Sequence, residues 1–156
     1  MWYNLQMLKN KSFTLIELLV VISIIGVLAA IVLVNMQESK KTGQDGSIIE
    51  SLTQIKNAAE LQYNYEYTYI NICDAEGNLN TSGNPAEVDF ARITEYINNR
   101  GGAVICRDSE TGWAAASSLN KGGCWCVDSQ GRSKKFDLGS GQTCGDVLTA
   151  GMITCP

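Results

Sequence analysis

Residues 13–34, FTLIELLVVISIIGVLAAIVLV, restrict the possible folds more than any other part of the chain. From Leu18 to Val34 there is no charge, and only Ser23 and Gly26 interrupt the aliphatic side chains. With Phe13 to Ile16 included, the run reaches the roughly 20 residues that an α-helix needs to cross a bilayer. Yet Glu17 stands near its start. A carboxylate in a membrane helix is costly and is retained where it has a partner or a task. The sequence therefore poses a question of chemistry: what meets this charge?

Flanking charge gives the orientation. Lys9 and Lys11 immediately precede the run, so the N-terminus is expected to stay cytoplasmic and the C-terminal part to lie outside. A secretory signal has a shorter apolar core followed by a small-residue cleavage site. Here the nearest such site, Leu28-Ala29-Ala30, is followed by more apolar sequence, Ile31 to Val34. A plain anchor explains the length and leaves Glu17 unexplained. The six cysteines, Cys73, Cys106, Cys124, Cys126, Cys144 and Cys155, all lie beyond the run, which fits delivery to an oxidising compartment and disulfides that support a small core. No histidine is present, which removes His-based triads and zinc sites. The first twelve residues carry two lysines and no acid, so the net charge of −4 becomes −6 beyond them. General nucleic-acid binding, which needs a basic footprint, is not expected.

The apolar run leads into a polar stretch, Asn35 to Lys41, and then into a second helical pattern. Ile48, Leu52, Ile55 and Ala59 recur at helical spacing and leave Glu50, Lys56 and Glu60 on other faces. Gly43 and Gly46 weaken the helix between the two patterns, and Ser47-Ile48-Ile49-Glu50 reads as a capping box if the helix restarts there. One long helix to about Tyr67 with a soft point at Gly43–Gly46 is expected. About ninety residues then remain for a head. Within it, Cys73 to Pro85 is loop, and Asn84-Pro85 opens a short helix with the stripe Phe90, Ile93 and Ile97, closed by Gly101-Gly102. Trp113–Leu119, Cys124–Ser129 and Ser133–Leu138 read as strands of an antiparallel meander. The fold class is α+β, a long helix laid on a small antiparallel sheet.

Three weaker signals carry little. Asp74-Ala75-Glu76-Gly77-Asn78 resembles part of a calcium loop but lacks its later ligands. Cys124-Trp125-Cys126 has the wrong spacing for a metal or redox pair. Asn80-Thr81-Ser82 is a glycosylation sequon, a match common by chance. No metal or cofactor is expected.

Lys11-Ser12-Phe13-Thr14-Leu15-Ile16-Glu17, followed by LLVVISIIGVLAAIVLV, resembles the N-terminus of type IV pilins and pseudopilins. The resemblance covers about Lys11 to Gln37 closely, and the rest only in general architecture. It implies a leader, residues 1–12, removed by a prepilin peptidase at Ser12–Phe13, with N-methylation of the new Phe13 amine. It implies a helix over 13–67, of which 13–35 forms the membrane and filament-core segment, and an extracellular head over 68–156. Glu17 would pair with the Phe13 amine of a neighbouring copy and so set the register of a helical filament. Ser12 stands where the family usually has Gly, and Val34 where many members have Pro.

On this resemblance the chain is a non-enzymatic subunit of a surface filament. It would reside in the cytoplasmic membrane as a precursor and then be assembled by inner-membrane machinery. A pseudopilin of a type II secretion or DNA-uptake system is the alternative within the family. A membrane-anchored extracellular binding domain that never polymerises is the alternative outside it. Cys124 and Cys126 lie two apart on one predicted strand and share a face, with Trp125 turned to the other, towards the long helix. The economical arrangement ties the Gly-rich tail to that strand through Cys144 and Cys155 and leaves Cys73 for Cys106; pilins commonly hold their C-terminal loop this way. Cys124–Cys144 with Cys126–Cys155, and the swapped pair, both remain open.

Overall fold

The computed structural model describes residues 13–80 and 90–156. They fall into two compact units, one up to Glu38 and one from Ser39 to Pro156. The elements in chain order are α1 (Leu15–Glu66), α2 (Phe90–Asn98), β1 (Val104–Asp108), β2 (Trp113–Ser118), β3 (Cys124–Asp128), β4 (Ser133–Phe136) and α3 (Cys144–Val147). The architecture is the α+β arrangement of a long helix on a four-stranded antiparallel meander. The Asn84-Pro85 helix start lies outside the described residues.

α1 is continuous over 52 residues. Its later half is amphipathic: Ile48, Leu52, Ile55 and Ala59 are fully buried, while Glu50, Thr53, Asn57 and Leu61 are exposed. The helix does not restart at Ser47, whose hydroxyl donates back to the Gly43 carbonyl (3.0 Å) instead of capping a new start. Nor is Gly43–Gly46 a loose joint. Asp45, between the two glycines, is buried and reaches the β2–β3 turn. Its Oδ1 accepts the Asn120 N–H (2.7 Å) and the Asn120 side-chain amide (2.9 Å), and its Oδ2 accepts the Lys121 N–H (3.1 Å). The same Asn120 amide donates to the carbonyl of Arg100, just beyond α2 (2.9 Å). Tertiary anchoring thus overrides the local weakness of glycine. α1 ends where Tyr67 takes a left-handed conformation (φ 56°) and donates its N–H to the Tyr63 carbonyl.

The following loop folds back onto the helix. Gln62 donates to the Ile70 carbonyl (3.0 Å), and Tyr63 and Tyr69 stack with ring centroids 4.5 Å apart. The Tyr69 hydroxyl donates to Glu60; burial first, and then the neighbouring carboxylate, push its pKa up to about 12.

The sheet is covered on both faces. Trp113, Ala115 and Val127, with Trp125 partly buried beside them, pack in one cluster with Ile48, Leu52, Ile55 and Ala59. Ala114, Ala116, Cys124 and Cys126 belong to a second cluster with Cys144, Leu148 and Cys155. β2 therefore has no solvent face, and its run of small alanines allows close approach on both sides. β1 is the strand that the sequence pattern does not reveal. Its outer edge is occupied, because the Cys106 N–H donates to the Gly77 carbonyl (2.7 Å) and the Cys73 N–H to Asp108 Oδ2 (2.9 Å). β4 is the open edge, and its Lys134 and Lys135 are exposed, as edge strands that resist pairing with other chains often are.

All six cysteines are paired, as Cys73–Cys106, Cys124–Cys144 and Cys126–Cys155. Asp128, fully buried at the end of β3, reinforces the last of these. Its Oδ1 accepts the N–H groups of Gln130 and Arg132, closing the β3–β4 turn, and its Oδ2 accepts the Cys155 N–H (2.8 Å).

Two outcomes follow from these contacts. Asp45→Ala leaves the N–H groups of Asn120 and Lys121 unpaired and should cost about 1–3 kcal/mol. Thermal unfolding of the detergent-solubilised chain, followed by near-ultraviolet circular dichroism, should show a melting point several degrees lower. Non-reducing peptide mapping of exported protein should recover Cys124 with Cys144 and Cys126 with Cys155, and a swapped pairing would contradict the register at β3.

Candidate functional site

The polar chemistry of the apolar segment is concentrated at the start of α1. The Thr14 carbonyl accepts the N–H of Leu18 (3.3 Å), the first bond of the helix, so Thr14 occupies the N-cap. Its hydroxyl accepts the Glu17 N–H (3.3 Å). In return Glu17 Oε2 accepts both the Thr14 N–H (2.9 Å) and the Thr14 hydroxyl (2.6 Å). This is a reciprocal capping box, and it gives Glu17 a partner within its own chain. A carboxylate in the first turn is also favoured by the helix dipole. Thr14 is a residue that the sequence reading passed over. The signal was present as the Thr-x-x-Glu spacing of Thr14-Leu15-Ile16-Glu17.

Beyond this turn, as far as Leu33, the helix is apolar but for Ser23 and is uncovered. Leu18, Leu19, Ile24, Val27, Ile31 and Leu33 are each more than half exposed, spread around the helix rather than gathered in a stripe. The segment is long and apolar enough to cross a membrane. Ser23 satisfies its hydroxyl by donating to the Val20 carbonyl (2.8 Å), so it adds no unpaired polar group. The helix continues without interruption through position 34, where the sequence has Val rather than Pro. Phe13 lies just ahead of the capped turn and is largely exposed. Ser12 lies outside the described residues.

Among its described residues the head offers no comparable convergence. Asp74 uses its carboxylate inside its own turn, accepting the Asn78 N–H (2.7 Å) and side-chain amide. Asp146 accepts the N–H and the hydroxyl of Thr143 at the start of α3, and these bonds hold its carboxyl below the usual range. Cys124 and Cys126 are consumed in disulfides.

The match to a family model falls on the same end of the chain. The prokaryotic N-terminal methylation motif matches residues 7–33. The chain is 31% identical over 93 residues to the type IV wide pilus major component PilA4 of Thermus thermophilus, covering 60% of this chain and 71% of that protein. It belongs to the type IV pilin family. Two shorter matches extend the range of relatives. The fimbrial protein EcpB of Eikenella corrodens is 46% identical over 54 residues, 35% of this chain and 34% of that protein. Core protein G of the Escherichia coli type II secretion system is 36% identical over 53 residues, 34% and 37% of the respective chains. No solved structure matches significantly.

Proposed function

We propose that this pilin-family chain is a structural, non-enzymatic subunit of a type IV pilus-like surface filament. The observation that carries the reading is a single carboxylate, Glu17, at the head of an uncovered apolar helix and one turn from Phe13. A prepilin peptidase removes residues 1–12 on the cytoplasmic side, and the freed Phe13 amine is N-methylated. The precursor waits in the cytoplasmic membrane, held by 13–35, until inner-membrane machinery adds it to the filament.

In a bundle of such helices little water reaches Glu17, and its charge needs a cationic partner. The Phe13 amine of a neighbouring copy supplies one at a single axial offset. The pair then sets register, in the way that one buried polar residue fixes alignment in a coiled coil. Elsewhere along the contact aliphatic packing repeats along the helix and accepts several offsets, so the charge selects among them.

The similarity to a type II secretion core protein favours a second reading, a pseudopilin building a short periplasmic filament. Electron microscopy of the cell surface separates the two. Abundant fibres whose main protein is this chain support the pilus, and their absence from cells that process the chain supports the pseudopilus.

N-terminal mass spectrometry of protein from cells should show a chain beginning at N-methylated Phe13. An intact Met1 or a cut after Ala30 would refute both readings. Glu17→Leu removes a charge from the apolar segment, so membrane insertion should be unchanged or improved. Filaments should nevertheless fail or lose regularity, and normal fibres from this variant would show that the charge does not set register.

A further inference from the structure

Glu17 is held by only one of its two oxygens. Oε2 receives both the N–H and the hydroxyl of Thr14, whereas Oε1 accepts no hydrogen bond among the described residues. We infer that Thr14 is a positioning residue for assembly: it fixes the Glu17 side chain through Oε2 and leaves Oε1 to meet the Phe13 amine of a neighbouring copy. The inference rests on the filament reading and deepens it.

Three features of the geometry support it. A glutamate side chain has several rotatable bonds, and ordering it at the moment of contact costs entropy. The capping box orders it beforehand, inside the subunit, so a neighbour meets a side chain already in place. Removal of residues 1–12 changes the nitrogen of Phe13 and not that of Thr14, whose N–H remains an amide donor, so the box survives processing. Finally, a carboxylate oxygen has two lone pairs and a carboxylate about four acceptor positions. The two bonds from Thr14 fall on one oxygen and leave the other with its full capacity, so the internal and external partners do not compete. Capping and pairing are therefore simultaneous, and the same carboxylate both starts the helix and joins the copies.

The test compares Thr14→Val, which keeps the branched shape and loses the hydroxyl, with Thr14→Ser, which keeps the hydroxyl. Three quantities are measured in whole cells: the processed N-terminus by mass spectrometry, the amount of chain in the membrane, and the amount of chain in sheared filaments. Thr14→Ser should match wild type in all three. Thr14→Val should be processed and inserted normally, while its filament yield falls several-fold. Wild-type yield from Thr14→Val would overturn the inference. So would a Thr14→Val chain that remains unprocessed, because Thr14 would then serve the peptidase rather than Glu17. Failure of Thr14→Ser to restore yield would equally exclude the hydroxyl as the active group. If wild-type cells process the chain and make no filament of any length, the filament reading itself falls, and this inference with it.

Discussion

Asp45 and Asp128 are the two buried carboxylates among the described residues, and the way each is satisfied determines how the head is joined together. A buried carboxylate must be met by donors or it destabilises the fold. Both find them mainly in backbone N–H groups. Asp45 draws the turn between β2 and β3 onto α1, and through Asn120 it also fixes the end of α2. Asp128 closes the turn between β3 and β4 and draws the Cys155 backbone onto β3. Helix, sheet and tail are thus joined at two points by the same chemistry. The apolar clusters on the two faces of the sheet supply bulk burial, while the carboxylates supply geometry that aliphatic packing alone leaves loose.

This division explains what could be read from the sequence. The later half of α1 follows from periodicity, because it has an apolar face and a distinguishable remainder, and the later strands follow from the turn residues that separate them. β1 does not, because Val104–Asp108 is partly covered on both faces and its composition does not alternate. Asp45 and Asp128 were not legible either. Each sits in a polar neighbourhood of the sequence and reads as a solvated acid. The groups that bury Asp45 come from Asn120 and Lys121, far along the chain. The weakness expected at Gly43–Gly46 failed for the same reason. A local propensity was read correctly, and a distant contact cancelled it.

The site was more legible than the head, because its chemistry is local. Glu17 stands out as the one charge in an apolar stretch, and its internal partner is only three residues away. What hid Thr14 was that it is small, polar and unremarkable at the edge of a helix. For the cysteines, alternation along β3 places Cys124 and Cys126 on one face but cannot choose their partners. That choice depends on the path of the tail, which the Thr143–Asp146 capping box and the Asp128–Cys155 bond direct. The first is local and does not say which strand cysteine the tail reaches; the second belongs to tertiary structure, and strand periodicity holds no trace of either.

The two halves of α1 differ in how complete they are, and that difference bears on function. Asp45 has donors on both oxygens, so the head needs nothing further for that carboxylate. Around Glu17 the position is reversed. One oxygen is satisfied, the other has no donor among the described residues, and the aliphatic side chains that follow have no apolar cover. Apolar surface of that extent is unfavourable in water. A lipid bilayer relieves the aliphatic exposure, but to Glu17 it offers only mobile headgroups and no cation at a fixed position. With processing at Phe13 as proposed, a bundle of like helices relieves both, since each neighbour then brings aliphatic surface and one N-terminal amine. The contiguous uncovered apolar surface lies in the N-terminal part of α1, and it is of the kind that identical copies of this chain can cover for one another.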